Sequence, residues 1–173
     1  MARAHPLRSP GMDVSRFRHR ASVTVAAPPE TVWARVSDIT RMGDVSPACT
    51  ACEWDDPATG MAAGAWFTGT NQAGEHSYAT RCQIDAFEAG KAFAFVNFGL
   101  SGDAPSSRWG YEVAASGDGT ELTETWEILP GFVEHIEKNY PDVDVAAIAA
   151  ERKVFAETGI TATLGALKAE LES

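Results

Sequence analysis

The chain has 173 residues, enough for one domain and too few for a second independent core. Its 14 Lys and Arg stand against 24 Asp and Glu, a formal charge of −10, which disfavours phosphate backbones and anionic membrane faces alike. Hydrophobic residues make up 45% and charged residues 22%, an ordinary globular balance, and no apolar run reaches the roughly 20 residues of a membrane helix.

Met1 to Arg20 carries five arginines and two prolines. Residues 1–19 are expected to be a poorly ordered basic leader, or sequence upstream of a start at Met12, with a single domain over 20–173. Ala21 to Ala26 alternates with period two and predicts a first strand with Val23 and Val25 inward. Pro28 and Pro29 stop it. Pro29 opens a helix in which Val32, Trp33 and Val36 share a face. A second short helix is expected over 38–42, then the loop Gly43 to Pro47.

Four β-patterned segments follow: 51–54, 65–71, 77–87 and 91–98. Gly60, Gln72-Ala-Gly74 and Glu88-Ala-Gly90 separate them. Two more strands, 107–115 and 121–129, flank Ser116-Gly-Asp-Gly119. Connections this short imply antiparallel pairing. Phe132, Ile136 and Tyr140 recur at helical spacing and suggest a short helix before Pro141. From Val145 to Leu171 the pattern is helical. Ile148, Phe155, Ile160, Leu164, Leu167 and Leu171 are its apolar markers, and Asp144 is a suitable cap. Gly159 and Gly165 interrupt that helix, each at a cost of about 1 kcal/mol relative to Ala; they leave space over the sheet or mark a bend.

This order of elements resembles the START-like, polyketide cyclase/dehydrase (SRPBCC) superfamily over residues 20–171. The segments that carry the resemblance include Val23-Thr-Val-Ala-Ala-Pro-Pro-Glu-Thr-Val-Trp33, Asp38-Ile-Thr-Arg-Met-Gly43 with Ser46-Pro47, and Phe87-Glu-Ala-Gly90 with Phe93-Ala-Phe95. Others are Gly64 to Asn71, Trp109-Gly-Tyr111, Gly119 to Trp126, and Leu164-Gly-Ala-Leu-Lys168. The loop Met42-Gly-x-x-Ser-Pro47 resembles a bacterial subgroup common in actinobacteria. The resemblance implies an α+β helix-grip fold: a curved antiparallel sheet of about seven strands around a long C-terminal helix, with two short helices after the first strand. It implies a cavity for lipids, polyketides or other apolar ligands, and in some relatives cyclisation, aromatisation or dehydration. Function does not follow from fold alone.

Alternation assigns the cavity face. Tyr78, Thr80, Cys82 and Ile84 point inward from one strand, with Arg81 and Gln83 outward. Phe93, Phe95 and Asn97 share a face, as do Trp109, Tyr111 and Val113, and Leu122, Glu124 and Trp126. Phe67, Gly69 and Asn71 join them. Aromatic walls with sparse polar atoms suit a small apolar ligand. The expected binding residues are Phe67, Tyr78, Thr80, Phe93, Phe95, Asn97, Trp109, Tyr111 and Trp126. The competing expectation is a solid core filled by Trp109, Phe93 and Phe95.

Glu124 is the candidate catalytic residue. A carboxylate on an apolar face must be paired, or have its pKa raised by desolvation, and a raised pKa suits acid–base work. The plain alternative places it at the rim, solvated. His76 reads as a surface residue and His135 as a candidate for closing the cavity. Cys49-Thr-Ala-Cys52 is a lone C-x-x-C without a second ligand pair or a βαβ context, and reads as fortuitous spacing. No metal site, phosphate loop or nucleophile elbow is present, so no cofactor is expected. Three cysteines fit a reduced, cytoplasmic setting, and a homodimer is the base-rate assembly.

Three functions fit this pattern. The first is a cofactor-free carrier or sensor of a small hydrophobic molecule. The second is a cyclase or dehydratase using Glu124 or a Tyr hydroxyl. The third is a co-chaperone-like interaction module, which would pair a solid interior with an exposed apolar patch.

Overall fold

The computed structural model describes residues 12–99 and 104–173. Strand β1 (Arg18–Val25) is followed by helix α1 (Pro29–Val36) and a 3-10 turn, Ile39–Asp44. Six strands come next: β2 (Cys49–Trp54), β3 (Trp66–Ala73), β4 (His76–Glu88), β5 (Ala92–Asn97), β6 (Ser107–Ser116) and β7 (Gly119–Ile128). Helices α2 (Pro130–Asn139) and α3 (Val145–Leu171) close the chain. The strands form one antiparallel sheet in the order β1-β7-β6-β5-β4-β3-β2. Each consecutive pair from β2 to β7 is a hairpin or short connection; only β1 crosses over, to lie beside β7. The architecture is the helix-grip fold, a curved sheet wrapped around the long last helix.

The expected domain start at residue 20 falls inside β1. Arg18 and His19 pair with Glu127 and Trp126, and Phe17 is 4% exposed in the core. Residues 12–16 of the expected leader are also described, and its residues 1–11 lie outside the described residues. The second short helix proves to be the tighter 3-10 turn, capped by the Asp38 carboxylate, which accepts from Thr40 N–H at 3.2 Å. Gly43 explains how close this turn lies to β2: a Cβ there would sit 2.3 Å from the Thr50 carbonyl oxygen.

Alternation sets the faces of the sheet, and β4 shows it plainly. Thr80, Cys82 and Ile84 are buried while Arg81 and Asp85 are exposed and paired with Asp55 and Arg108. Helix α3 begins at Asp144, whose carboxylate accepts from Ala146 and Ala147 N–H at 2.9 and 3.1 Å, satisfying two orphan donors. Its C-terminal half buries Ile160, Thr163, Leu164 and Leu167. That end is tied down by polar contacts. Lys168 Nζ donates to the Thr24 carbonyl at 2.5 Å, Glu172 accepts from Ala26 N–H at 2.7 Å, and Glu170 accepts from Arg35 Nε at 2.7 Å.

Its N-terminal half is different. There only Ala149 and Ala156 are buried, and Phe155, expected on the inner face, is 49% exposed. The helix is pinned at one end and stands off the sheet at the other, beside α2. Gly159 and Gly165 both sit inside this continuous helix.

Candidate functional site

The stand-off leaves a cavity of about 530 Å³ between the sheet, α2 and the N-terminal half of α3, within the roughly 300–1,000 Å³ of small-molecule sites. Phe67, Tyr78, Thr80, Phe95, Asn97, Trp109, Tyr111, Glu124 and Trp126 all line it. Trp109 and Phe95 are half-buried and form wall without filling the interior. Phe67 meets Phe95 edge-on at 5.1 Å between ring centroids, and Trp109 lies 6.2 Å from Trp126. Edge and tilted contacts of this kind fix ring positions.

Phe93 departs from expectation. It shares the inward face but does not line the cavity, because α1 covers that end of β5. Its ring stacks on Tyr111 at 5.4 Å and meets Trp33 edge-on at 6.1 Å. It is a strut behind Tyr111.

Glu124 lies at the inner surface, opposite Tyr111 in the β6–β7 register. It is 4% exposed, so the rim placement fails. Burial pushes its carboxyl up to about 8, and the Tyr111 hydroxyl beside it pulls the other way. The acid is therefore predominantly neutral at pH 7, and a neutral carboxyl donates one hydrogen bond. Its Oε2 has no partner among the described residues, in a site where an unsatisfied buried polar atom costs roughly 1–3 kcal/mol. The Tyr111 hydroxyl is turned toward Met42 Sδ at 3.6 Å. Burial, then the Glu124 charge, hold the phenol well above its ordinary pKa, so it stays a hydroxyl.

Two of the other expected polar anchors, Thr80 and Asn97, have partners in the protein. Asn71 Nδ2 donates to Thr80 Oγ1 at 3.1 Å, and Asn97 Oδ1 accepts from Gly99 N–H at 2.6 Å. His76 is exposed, as its position in a turn suggested. His135 lines the mouth and its Nδ1 lies 3.3 Å from Asn139 Nδ2.

Sequence reasoning missed part of the wall. Met42, Ser46 and Pro47 come from the loop after the 3-10 turn, and Arg152 and Phe155 from the raised half of α3. Helical spacing pointed to Phe132, Ile136 and Tyr140, and all three line the mouth. Arg152 gave no signal, and Phe155 was marked only as part of the apolar helix face, because which part of a helix leaves the sheet depends on tertiary contacts. Among the described residues no cluster of His, Cys, Asp or Glu is arranged to hold a metal ion, and no helix is long and apolar enough to cross a membrane.

A helix-grip sheet with an aromatic cavity and one neutral acid defines a class of small-molecule-binding domains. Residues 16–172 match the model of a family described as polyketide cyclase/dehydrase and lipid transport, and the chain belongs to that family, within the START-like superfamily. It is similar to the solution structure of the polyketide-cyclase-like protein Cgl2372 from Corynebacterium glutamicum. The two are 33% identical over 90% of this chain and 91% of that one, with a TM-score of 0.65. The Zhui aromatase/cyclase from Streptomyces sp. R1128 shares 16% identity over 90% of this chain and 93% of its own, with a TM-score of 0.68. Ara h 8.0201 shares 12% over 89% and 96%, with a TM-score of 0.61; these last two likenesses concern the fold. No curated protein matches the chain.

Proposed function

We propose that the protein binds a small, largely apolar molecule carrying a carbonyl or comparable acceptor, which meets the neutral carboxyl of Glu124 inside the cavity. The observation that carries this reading is the Glu124 carboxyl in the wall of about 530 Å³ of aromatic-lined space, buried and with an Oε2 that has no partner among the described residues. An apolar molecule gains from the walls, and its acceptor pairs with the neutral carboxyl in the cavity wall. Family membership supports a hydrophobic ligand or a cyclase-type substrate equally.

Gly159 supplies the test. It lines the cavity, and a Cβ at this position would have no atom within 4 Å. Gly159→Leu therefore keeps the helix and fills the space. Gly165 is equally open but lies on the exposed outer face, so Gly165→Leu is the control. The probe is anilinonaphthalene sulfonate fluorescence, competed by a series of aromatic ketones and fatty acids. Probe binding by the wild type, displacement by the ketones, and at least a tenfold loss in Gly159→Leu alone are expected. Equal binding by all three proteins would place the probe elsewhere and end the reading.

A second reading has its own support. A carboxyl held near 8 is a competent acid at neutral pH, and general acid–base catalysis works best with a pKa close to the operating pH. If a bound polyketide-like ketone is also turned over, Glu124→Gln will abolish the rate and keep the affinity. If turnover survives the substitution, Glu124 is an anchor and not an acid.

A further inference from the structure

Residues three apart in a regular strand face opposite sides of the sheet. On that rule Cys49 and Cys52 would diverge, and their spacing would mean nothing. Strand β2 breaks the rule. Cys49 faces Asn71 on β3 and Ala51 faces Thr70, so two steps on β2 match one on β3. Thr50 is the extra residue of a β-bulge, a device that re-aims side chains. It brings both thiols to the cavity side, with their sulfurs 3.3 Å apart, and both residues line the cavity.

The surroundings hold this arrangement. Ser46 Oγ accepts from Cys49 N–H at 3.0 Å and from Ala48 N–H at 3.3 Å, fixing the entry to the strand. Gly69 lies opposite Cys52 in the register and has no side chain to cover its sulfur. The two thiols are not equivalent. Cys49 is half-buried, and Cys52 is 6% exposed. The hydrogen bond between the two sulfurs lowers the Cys49 thiol below its ordinary value, and the same contact together with burial raises Cys52. Cys82, the third thiol of the wall, is 2% exposed and pushed up by burial to about 12. Attack by a thiolate therefore starts at Cys49.

We propose that Cys49 and Cys52 form a dithiol–disulfide site in the cavity wall, oxidised by low-molecular-weight disulfides. The Cys49 thiolate attacks one sulfur of the small disulfide; a mixed disulfide forms and the first small thiolate leaves. Cys52 then loses its proton and attacks the Cys49 sulfur. The Cys49–Cys52 bond forms, the mixed bond breaks, and the second small thiolate leaves. Two electrons pass to the small disulfide. The two protons released by the cysteines convert its halves to thiols. A reducing dithiol reverses the sequence. This site stands whether or not the cavity holds the ligand proposed above.

The test uses the full chain in oxidised and reduced glutathione at defined ratios, followed by acid quench, alkylation in denaturant and peptide mass spectrometry. As the ratio rises, the peptide carrying Cys49 and Cys52 should lose both alkyl groups and become lighter by two hydrogens, while Cys82 stays alkylated. Cys52→Ser should stop at glutathione on Cys49, and Cys49→Ser should carry no adduct; each is a one-atom change checked for folding by circular dichroism. Three alkylated cysteines at every ratio overturn the proposal. So does a persistent mixed disulfide in the wild type, or a bond that involves Cys82.

Discussion

At residue scale the decisive quantity is the proton on Glu124. A buried acid raised from 4.5 to about 8 binds more protons in the folded state than in the unfolded one across that interval. Its contribution to stability is complete below about pH 4.5 and declines as pH rises through about 8. Glu124→Gln keeps size and a hydrogen-bond donor and cannot ionise. Urea melts at about pH 5, 7 and 9 should show the wild type losing stability over this window relative to the variant, by an amount on the order of a few kcal/mol. Parallel pH profiles would mean that Glu124 is hydrated and ordinary. Alternation alone assigned Glu124 and Tyr111 to the inner face, since period two carries that information. Cys49-Thr-Ala-Cys52 reads as fortuitous spacing in the sequence, because a bulge leaves no mark in the residue pattern. Alternation also overcounted Phe93: an inward residue lines a cavity only where nothing packs over it, and α1 lies over that end of β5.

At the scale of elements, α3 poses the sharpest question. Two glycines in a helix cost about 1 kcal/mol each relative to alanine, and neither position requires glycine for space. Gly165→Ala should therefore raise stability by about 1 kcal/mol and leave probe binding unchanged. Gly159→Ala should raise it by a similar amount and weaken binding modestly, since one methyl enters the cavity. Chemical denaturation with a parallel probe titration checks both; if Gly165→Ala destabilises, the outer face of α3 is covered by something absent from this fold. The existence of α3, its limits and its cap at Asp144 were legible, because a sustained helical period and an Asx cap are local signals. Its stand-off was not. The apolar marker Phe155 belongs to the same periodic pattern as Ile160, yet one sits at the rim and the other in the core. What separates them is the set of ties at the C-terminal end, and those pair residues more than a hundred positions apart.

For the molecule as a whole, that end of α3 is where fold and cavity are coupled. Glu170 accepts from Arg35 Nε and Nη2 at 2.7 and 3.0 Å and from Arg41 Nη2 at 2.8 Å, joining α3 to α1 and the 3-10 turn. The Arg35 side chain is 4% exposed and that of Glu170 33%, so the pair is buried on one side and open on the other. Hydrogen bonding to Arg35 holds the Glu170 carboxyl below its ordinary range. Its contribution is thus present above the unfolded value, near 4.5, and is lost as pH falls through the folded one. Glu124 acts in the opposite sense, so the combined contribution of these two groups should be greatest near about pH 4.5. Removing one partner strands a buried guanidinium, whereas replacing both with apolar residues does not. Glu170→Ala should cost about 3 kcal/mol, or roughly 6–12 °C in Tm for a chain of this size, and should flatten the acid limb. Arg35→Met with Glu170→Leu should recover most of that loss. If the double variant is no better than the single one, the pair holds α3 through geometry that packing cannot replace. The probe titration on the double variant then separates stability from shape: a helix held down by apolar contacts should leave the cavity, and hence probe affinity, unchanged.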